Sequence, residues 1–272
     1  MTPAELSCTV RRAVRRAVEA GELVAPVPER VTVRTPPRPG CGDFATNVAL
    51  RLAKDAGRPA CHVAEVLRRR LVREPGVRRV DVAGPGFLNI TLDGAAHSAL
   101  VEELRGITPS PALPLSPPDG LVRRLGSDAA RWSLVTAPGL DRELLLVQRE
   151  DANPLFRVRY AHARTQALAR NARDLGFARG EGGPQGDDSA GLLGLLGDRG
   201  RIVESADPFR LARYLERLAD AFLHWHHKCP VLPLGDEKPS AVHRARLALA
   251  EATGAVLADG LHQLGITAPA HL

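Results

Sequence analysis

The chain has 272 residues, 44% of them apolar and 25% charged. That balance fits one large or two modest globular domains and excludes a disordered or fibrous chain. Aromatics make up only 4%, so the core must rest on Leu, Val and Ala, which favours helices. A formal charge of +6 suits a polyanionic partner, since neutralising phosphates supplies most non-specific nucleic-acid affinity.

In chain order, residues 4–20 read as an amphipathic helix. Leu6, Val10, Ala13, Val14, Ala17 and Val18 share one face, and Arg11, Arg12, Arg15 and Arg16 crowd the other. Val31 to Val33 is a short strand candidate, followed by the loop Thr35 to Gly40. Residues 44–56 and 61–73 show helical periodicity, with Pro59 between them. Val77 to Val82 and Phe87 to Leu92 read as two strands around the turn Gly84-Pro85-Gly86. Gly106 to Gly120 carries five prolines in fifteen residues, which predicts an extended linker and a domain boundary.

The remainder reads as helical. Residues 127–136 and 141–151 are short helix candidates, and Pro154 opens a long helix to about Leu175 at a position that tolerates proline. The Gly-, Asp- and Arg-rich stretch 176–190 reads as a mobile loop. Helices over 191–204, 208–228 and 240–264 follow, the last with Ser240 as N-cap and Gly265 beyond its end. The expected fold class is α+β. A small N-terminal α/β domain with a short antiparallel sheet (1–105) leads through a Pro-rich linker (106–122) to an all-α antiparallel helical bundle (123–272).

Cys8, Cys41, Cys61 and Cys229 contain no CxxC pair and no leader precedes them, so reduced thiols in a cytoplasm are expected. No apolar run is long enough to span a bilayer, so no membrane partner is expected. His224, His226 and His227 lie near Cys229, but without an i, i+4 pair and a carboxylate a metal site is not expected. Neither a P-loop nor a dinucleotide-binding pattern occurs, and no cofactor is expected.

Several separated stretches resemble arginyl-tRNA synthetase, in that family's order. Gly42-Asp-Phe-Ala-Thr-Asn-Val-Ala-Leu50 and Gly84-Pro-Gly-Phe-Leu-Asn-Ile90 resemble its additional N-terminal domain. Leu125-Gly-Ser-Asp-Ala-Ala-Arg-Trp132 and Asn153-Pro-Leu-Phe-Arg-Val-Arg-Tyr-Ala-His-Ala-Arg164 resemble the entry to its DALR-type anticodon-binding bundle. Tyr214-Leu-Glu-Arg-Leu-Ala, Trp225-His-His-Lys-Cys-Pro-Val231 and Gly260-Leu-His-Gln-Leu-Gly-Ile-Thr-Ala-Pro269 resemble its later helices and end. The class I catalytic domain would lie between these parts, where the Pro-rich linker stands. No His-x-Gly-His occurs, and Lys54, Lys228 and Lys238, the three lysines, lie in no Lys-Met-Ser-Lys-Ser-like context. ATP chemistry needs such groups to offset phosphate charge, so arginine activation is not expected.

The resemblance implies two tRNA contacts: the outer corner, where the D-loop presents an unpaired base, and the anticodon loop. Unpaired bases are read by stacking and by hydrogen bonds to their edges. Phe87 offers a stacking face and Asn89 a two-way amide on the same side of a strand; the competing reading has Phe87 filling the core. Asp43 as an N-cap and Phe44 as a packing residue explain most of the first motif, leaving Asn47, placed mid-helix, as an RNA candidate. Tyr160 and Arg164, at i and i+4, share a helix face that Arg157 extends. Trp225 and His226 stand where the family carries aromatics, and Leu272 stands where it ends in methionine, so base specificity departs from the pattern. The arginine runs 11–16 and 68–70 read as solvated faces or as phosphate contacts.

The expected function is a non-catalytic tRNA-binding protein with tRNA, tRNA(Arg) first, as partner, alongside a synthetase or another tRNA-using enzyme. The alternatives are a protein-interaction or regulatory module that kept the fold and lost the RNA, and an accessory subunit of a separate catalytic chain.

Overall fold

A computed structural model of the chain describes residues 1–36, 41–136, 142–148, 152–180 and 189–272. These form two compact units, Met1–Leu100 with Gln185–Gly200, and Val101–Pro184 with Arg201–Leu272.

The first unit opens with α1 (Pro3–Glu19), whose start is fixed by a capping box: the Thr2 hydroxyl accepts from Glu5 N–H, and the Glu5 carboxylate accepts from Thr2 N–H. Then come β1 (Val33–Arg34), β2 (Phe44–Thr46), α2 (Val48–Leu52), α3 (Ala60–Leu71), β3 (Val77–Ala83), β4 (Phe87–Leu92) and α4 (Gly94–Arg105). The four strands form one antiparallel sheet in the order β1-β2-β4-β3. Its inner face carries Val33, Phe44, Val80, Leu88, Ile90 and Leu92. These pack with Leu6, Val10 and Val14 of α1 and Val63 and Leu67 of α3 in one core.

The helix expected over 44–56 is in part a strand. Phe44 and Thr46 alternate inward and pair with Ile90 and Leu88, and this pairing overrides the helical spacing of the apolar residues. Asn47 is therefore not mid-helix; it occupies the N-cap position of α2, exposed and with no side-chain capping bond. Asp43 is not an N-cap. It is buried, and its Oδ2 accepts from Leu92 N–H at 2.7 Å and lies 2.9 Å from His97 Nε2. Gly42 before it has φ +86°, and a Cβ there would stand 3.0 Å from the Ile90 carbonyl oxygen, so the approach to β4 requires glycine. Sequence reading passed over α4, although Asp93 caps it by accepting from Ala96 N–H at 2.8 Å.

The unit is completed from far along the chain by α8 (Ala190–Gly197). Thr35 Oγ1 donates to the Gly194 carbonyl at 3.2 Å and lies 3.1 Å from Asp198 Oδ2. At Gly194 a Cβ would lie 3.1 Å from the Asp43 carbonyl oxygen, and at Gly197 it would lie 2.7 Å from the tip of the Phe44 ring. The expected 191–204 helix thus divides at Asp198 into α8 and α9 (Arg199–Glu204).

The second unit is helical: α5 (Asp119–Leu125), α6 (Ser127–Leu134), a 3₁₀ turn (Arg142–Leu146), α7 (Pro154–Asp174), α10 (Pro208–Lys228) and α11 (Ala241–Gln263). The helix expected over 141–151 is that 3₁₀ turn where it is described; residues 141 and 149–151 lie outside the described residues. The bundle is not uniformly antiparallel. Arg157 meets Asp220 and Arg164 meets His226, so α7 and α10 run parallel. Leu215 packs at Gly260, and Arg246 Nη1 donates to Pro230 O, so α11 runs against α10. Parallel helices need a long return between them, and residues 175–207 provide it. Of the expected 176–190 loop, 181–188 lie outside the described residues, while Phe177 is buried beneath the Arg244 guanidinium.

Residues 107–118 have no regular secondary structure, as the prolines predict, but they do not hang free. Ser110 N–H donates to Asp259 Oδ1 at 2.6 Å, and Leu113 N–H to Gln263 O at 2.7 Å. The prolines remove donors that an extended segment bound to a helix does not need.

Candidate nucleic-acid interface

In the first unit the helices cover one side of the sheet, and Phe87, Asn89 and Thr91 of β4 point to the other. Phe87 is 42% exposed, which removes the core-filling reading. Asn89, half-buried beside it, makes no side-chain hydrogen bond among the described residues. Across the strands the same face carries Ala45, Asp81 and Ala83 opposite these two, and Arg34 opposite Ala45. Sequence reading missed Arg34 and Asp81, because only register puts them there. Asn47, on the far side of Thr46, is exposed but shares no strand row with this set.

The basic helix faces are largely occupied. Arg12 and Arg16 both bind the buried carboxylate of Glu74 at 2.8 Å. Arg70 binds Glu22 at 2.9 Å, and Arg68 is held by Glu65. Such arginines fix helix packing before they meet any phosphate; Arg15 has no such partner among the described residues.

In the second unit, Phe156, Tyr160 and Arg164 follow each other by one turn on α7. The Phe156 and Tyr160 rings stack at 6.1 Å and 13°. Arg164, exposed, donates from Nε to His226 Nε2 of α10 at 3.1 Å, and the imidazole lies flat on Phe222 at 5.9 Å and 7°. Accepting at Nε2 puts the neutral ring's proton on Nδ1, which is buried without a partner. Burial, then Arg164 and His227, push the His226 pKa below its ordinary value, so the imidazole is neutral at pH 7. Tyr160, Arg164 and His226 are thus one surface of aromatic faces and one guanidinium.

The other two candidates sit differently. Arg157 is turned to α10, its Nε 2.8 Å from Asp220 Oδ1 but out of line for a hydrogen bond. Trp225 is buried, tilted against Phe222, and so packs the bundle instead of offering a face.

On α10, near Arg157 of α7, Glu216 is mostly shielded, and burial raises its pKa against the opposing pull of Arg213 and Arg157. A carboxyl whose folded pKa is raised favours folding in its acid form. The chain therefore loses stability as pH climbs from the ordinary value of 4.5 through the folded one. Glu216→Gln is expected to raise Tm at pH 7 by about 1–3 °C, with the gain vanishing below about pH 4.5; thermal melts across pH check it.

His162, not singled out by sequence, organises the chain end. Its Nδ1 lies 2.9 Å from Pro269 O, Arg159 Nε donates to Thr267 O at 3.1 Å, and Arg170 Nη1 to Ala270 O at 3.2 Å. Burial lowers the His162 pKa, keeping the ring neutral. The tail so clamped brings Leu272 to a cavity of about 640 Å³ shared with Asp128, Arg131, Gln148, Phe156 and Arg159. Arg159 is paired with Asp128. Nothing in the sequence alone ties His162 to a residue a hundred positions on.

No group of three or more His, Cys, Asp or Glu among the described residues is arranged to hold a metal, and no described helix is long and apolar enough to cross a membrane.

Residues 5–92 match the family model for the arginyl tRNA synthetase N terminal domain, and residues 158–272 that for the DALR anticodon binding domain. Among solved structures, Thermus thermophilus arginyl-tRNA synthetase aligns with 26% identity and a TM-score of 0.44, over 65% of this chain and 30% of that one. A Campylobacter jejuni protein described as an arginyl tRNA synthetase aligns with 20% identity and a TM-score of 0.43, over 56% and 35%. The chain spans about a third of the length of each. The chain joins a segment matched to the arginyl tRNA synthetase N terminal domain to one matched to the DALR anticodon binding domain.

Proposed function

We propose that the chain binds tRNA, tRNA(Arg) first, without aminoacylating it. In this reading the outer sheet face meets the tRNA corner and the α7–α10 face meets the anticodon loop. The observation that carries the reading is the surface of Tyr160, Arg164 and His226, which pairs stacking faces with a cation, as unpaired nucleotides require. It lies within the segment matched to an anticodon binding domain. The denial of catalysis is supported by residues 93–157, all that separates the two matched segments, and by the missing ATP-handling signatures. The two domains together with a partner synthetase would hold tRNA in place, or report on it, while the chemistry happens elsewhere.

Gel shifts with tRNA(Arg) transcripts test the reading. Binding is expected to weaken steeply between 50 and 200 mM salt, by roughly 10-fold or more for a few phosphate contacts. ATP–pyrophosphate exchange with arginine is expected to stay at background. Robust exchange, or no shift at low salt, overturns it; the latter would favour the protein-interaction module.

A further inference from the structure

The sheet order β1-β2-β4-β3 leaves β3 at an edge. Ile90 O accepts from Asp43 N–H, and Leu92 N–H donates to the Asp43 carboxylate, so the even-numbered residues of β4 turn their backbone groups to β2. Backbone groups alternate sides along a strand. Phe87, Asn89 and Thr91 therefore turn theirs to Ala83, Asp81 and Arg79 of β3, and the N–H and C=O of Val80 and Val82 point away from β4. Neither valine forms a backbone bond outside the sheet among the described residues. Such an edge is a template for another extended strand, and its side chains decide which strand fits.

Arg79 and Asp81 carry opposite charges two residues apart on one side of this edge, 70% and 43% exposed. A second copy laid antiparallel along β3 meets the first about a two-fold axis, and the charges choose where that axis falls. An axis at Arg79 or at Asp81 sets like charges against each other, which repel. An axis at Val82 opposes Asp81 to Ala83 and carries Arg79 beyond the strand to Pro85. An axis at Val80 lets the two Val80 residues exchange both backbone bonds and puts each Arg79 opposite the partner's Asp81. These last are non-hydrogen-bonded pairs, the class in which side chains come closest. The register shift between Val77 and Arg79 ends the pairing on that side.

We propose that β3 is the contact through which two copies of this chain associate, centred on Val80 and closed by two reciprocal Arg79–Asp81 pairs. A contact over residues 78–82 of each copy falls short of a standard interface, so the dimer is a weak one, with Kd of roughly 10–100 µM. It joins the two sheets edge to edge with both outer faces on one side, so each copy turns its Phe87 in the same direction.

The test is sedimentation of the full chain from about 1 µM to about 1 mM, as wild type, Arg79→Asp, Asp81→Arg, and the two variants mixed. Neither reversal creates a cross-strand clash within the chain, because Arg79 and Asp81 face the uncharged Thr91 and Asn89 on β4. Wild type is expected to pass from monomer to dimer within that range. Each reversal alone is expected to weaken self-association by about 10-fold or more, since two attractive pairs become two repulsive ones. Mixing restores it. Arg79→Asp has acids at both positions and Asp81→Arg has arginines at both, so a heterodimer regains both ion pairs and is expected within about 3-fold of wild type. Wild type that stays monomeric throughout overturns the proposal. Reversals that self-associate like wild type, or a mixture no tighter than its components, place any dimer on another surface and overturn it equally. The tRNA reading stands or falls separately, on the gel shifts.

Discussion

Replacing Tyr160 and Arg164 together by alanine is expected to weaken tRNA(Arg) binding by about 100-fold at 0.1 M salt, with Tm within about 2 °C of wild type. The magnitude combines one base–aromatic stack, worth about 1–3 kcal/mol, with one phosphate or stacking contact of the guanidinium. The small structural cost follows from the geometry. Arg164 is exposed and bonds only a half-buried imidazole, and Tyr160 loses a stack on Phe156 at the surface. A double variant that binds as wild type moves the anticodon contact off this face. Arg157→Ala or Trp225→Ala would not serve as well. The first breaks a contact to Asp220 and the second empties a buried site, so either could lower binding through the fold.

Gly197→Val is expected to destabilise the first unit by about 2–3 kcal/mol, read as faster hydrogen exchange at α8 and at Thr35. The added atoms have nowhere to go: a Cβ alone would stand 2.7 Å from the tip of the Phe44 ring, and that ring is buried in the core beneath β2. The opposite result is expected two turns earlier. A Cβ at Gly191 meets nothing within 4 Å, so Gly191→Ala should stabilise α8 by roughly 0.5–1 kcal/mol through helix propensity alone. Equal effects at the two glycines would show that α8 is not seated on the first unit.

Local signals were legible in the sequence. Thr2, Asn153, Asp207 and Ser240 cap helices, and the apolar spacing of α1, α3, α7, α10 and α11 marks the faces they bury. What escaped depends on partners distant in sequence. Phe44 and Thr46 look helical until Ile90 and Leu88 pair with them. Trp225 looks like a stacking platform until Phe222 and the bundle enclose it, and Arg157 looks free until Asp220 arrives on a parallel helix. For the candidate site, the stripe Tyr160–Arg164 was readable from i, i+4 spacing, and Phe156 would have followed by the same step. Asp81 was not readable, because strand register is a property of the pair.

The glycine-rich helix α8 also imposes an order of events during synthesis. The first hundred residues leave the ribosome with Thr35, Phe44 and the Asp43 carbonyl awaiting a segment still unmade. At about 5–20 residues per second, that interval lasts roughly 5–20 s. Until the Gly-x-x-Gly helix α8 emerges, the Phe44 ring tip, the Thr35 hydroxyl and the Asp43 carbonyl lack the neighbours they have in the folded unit.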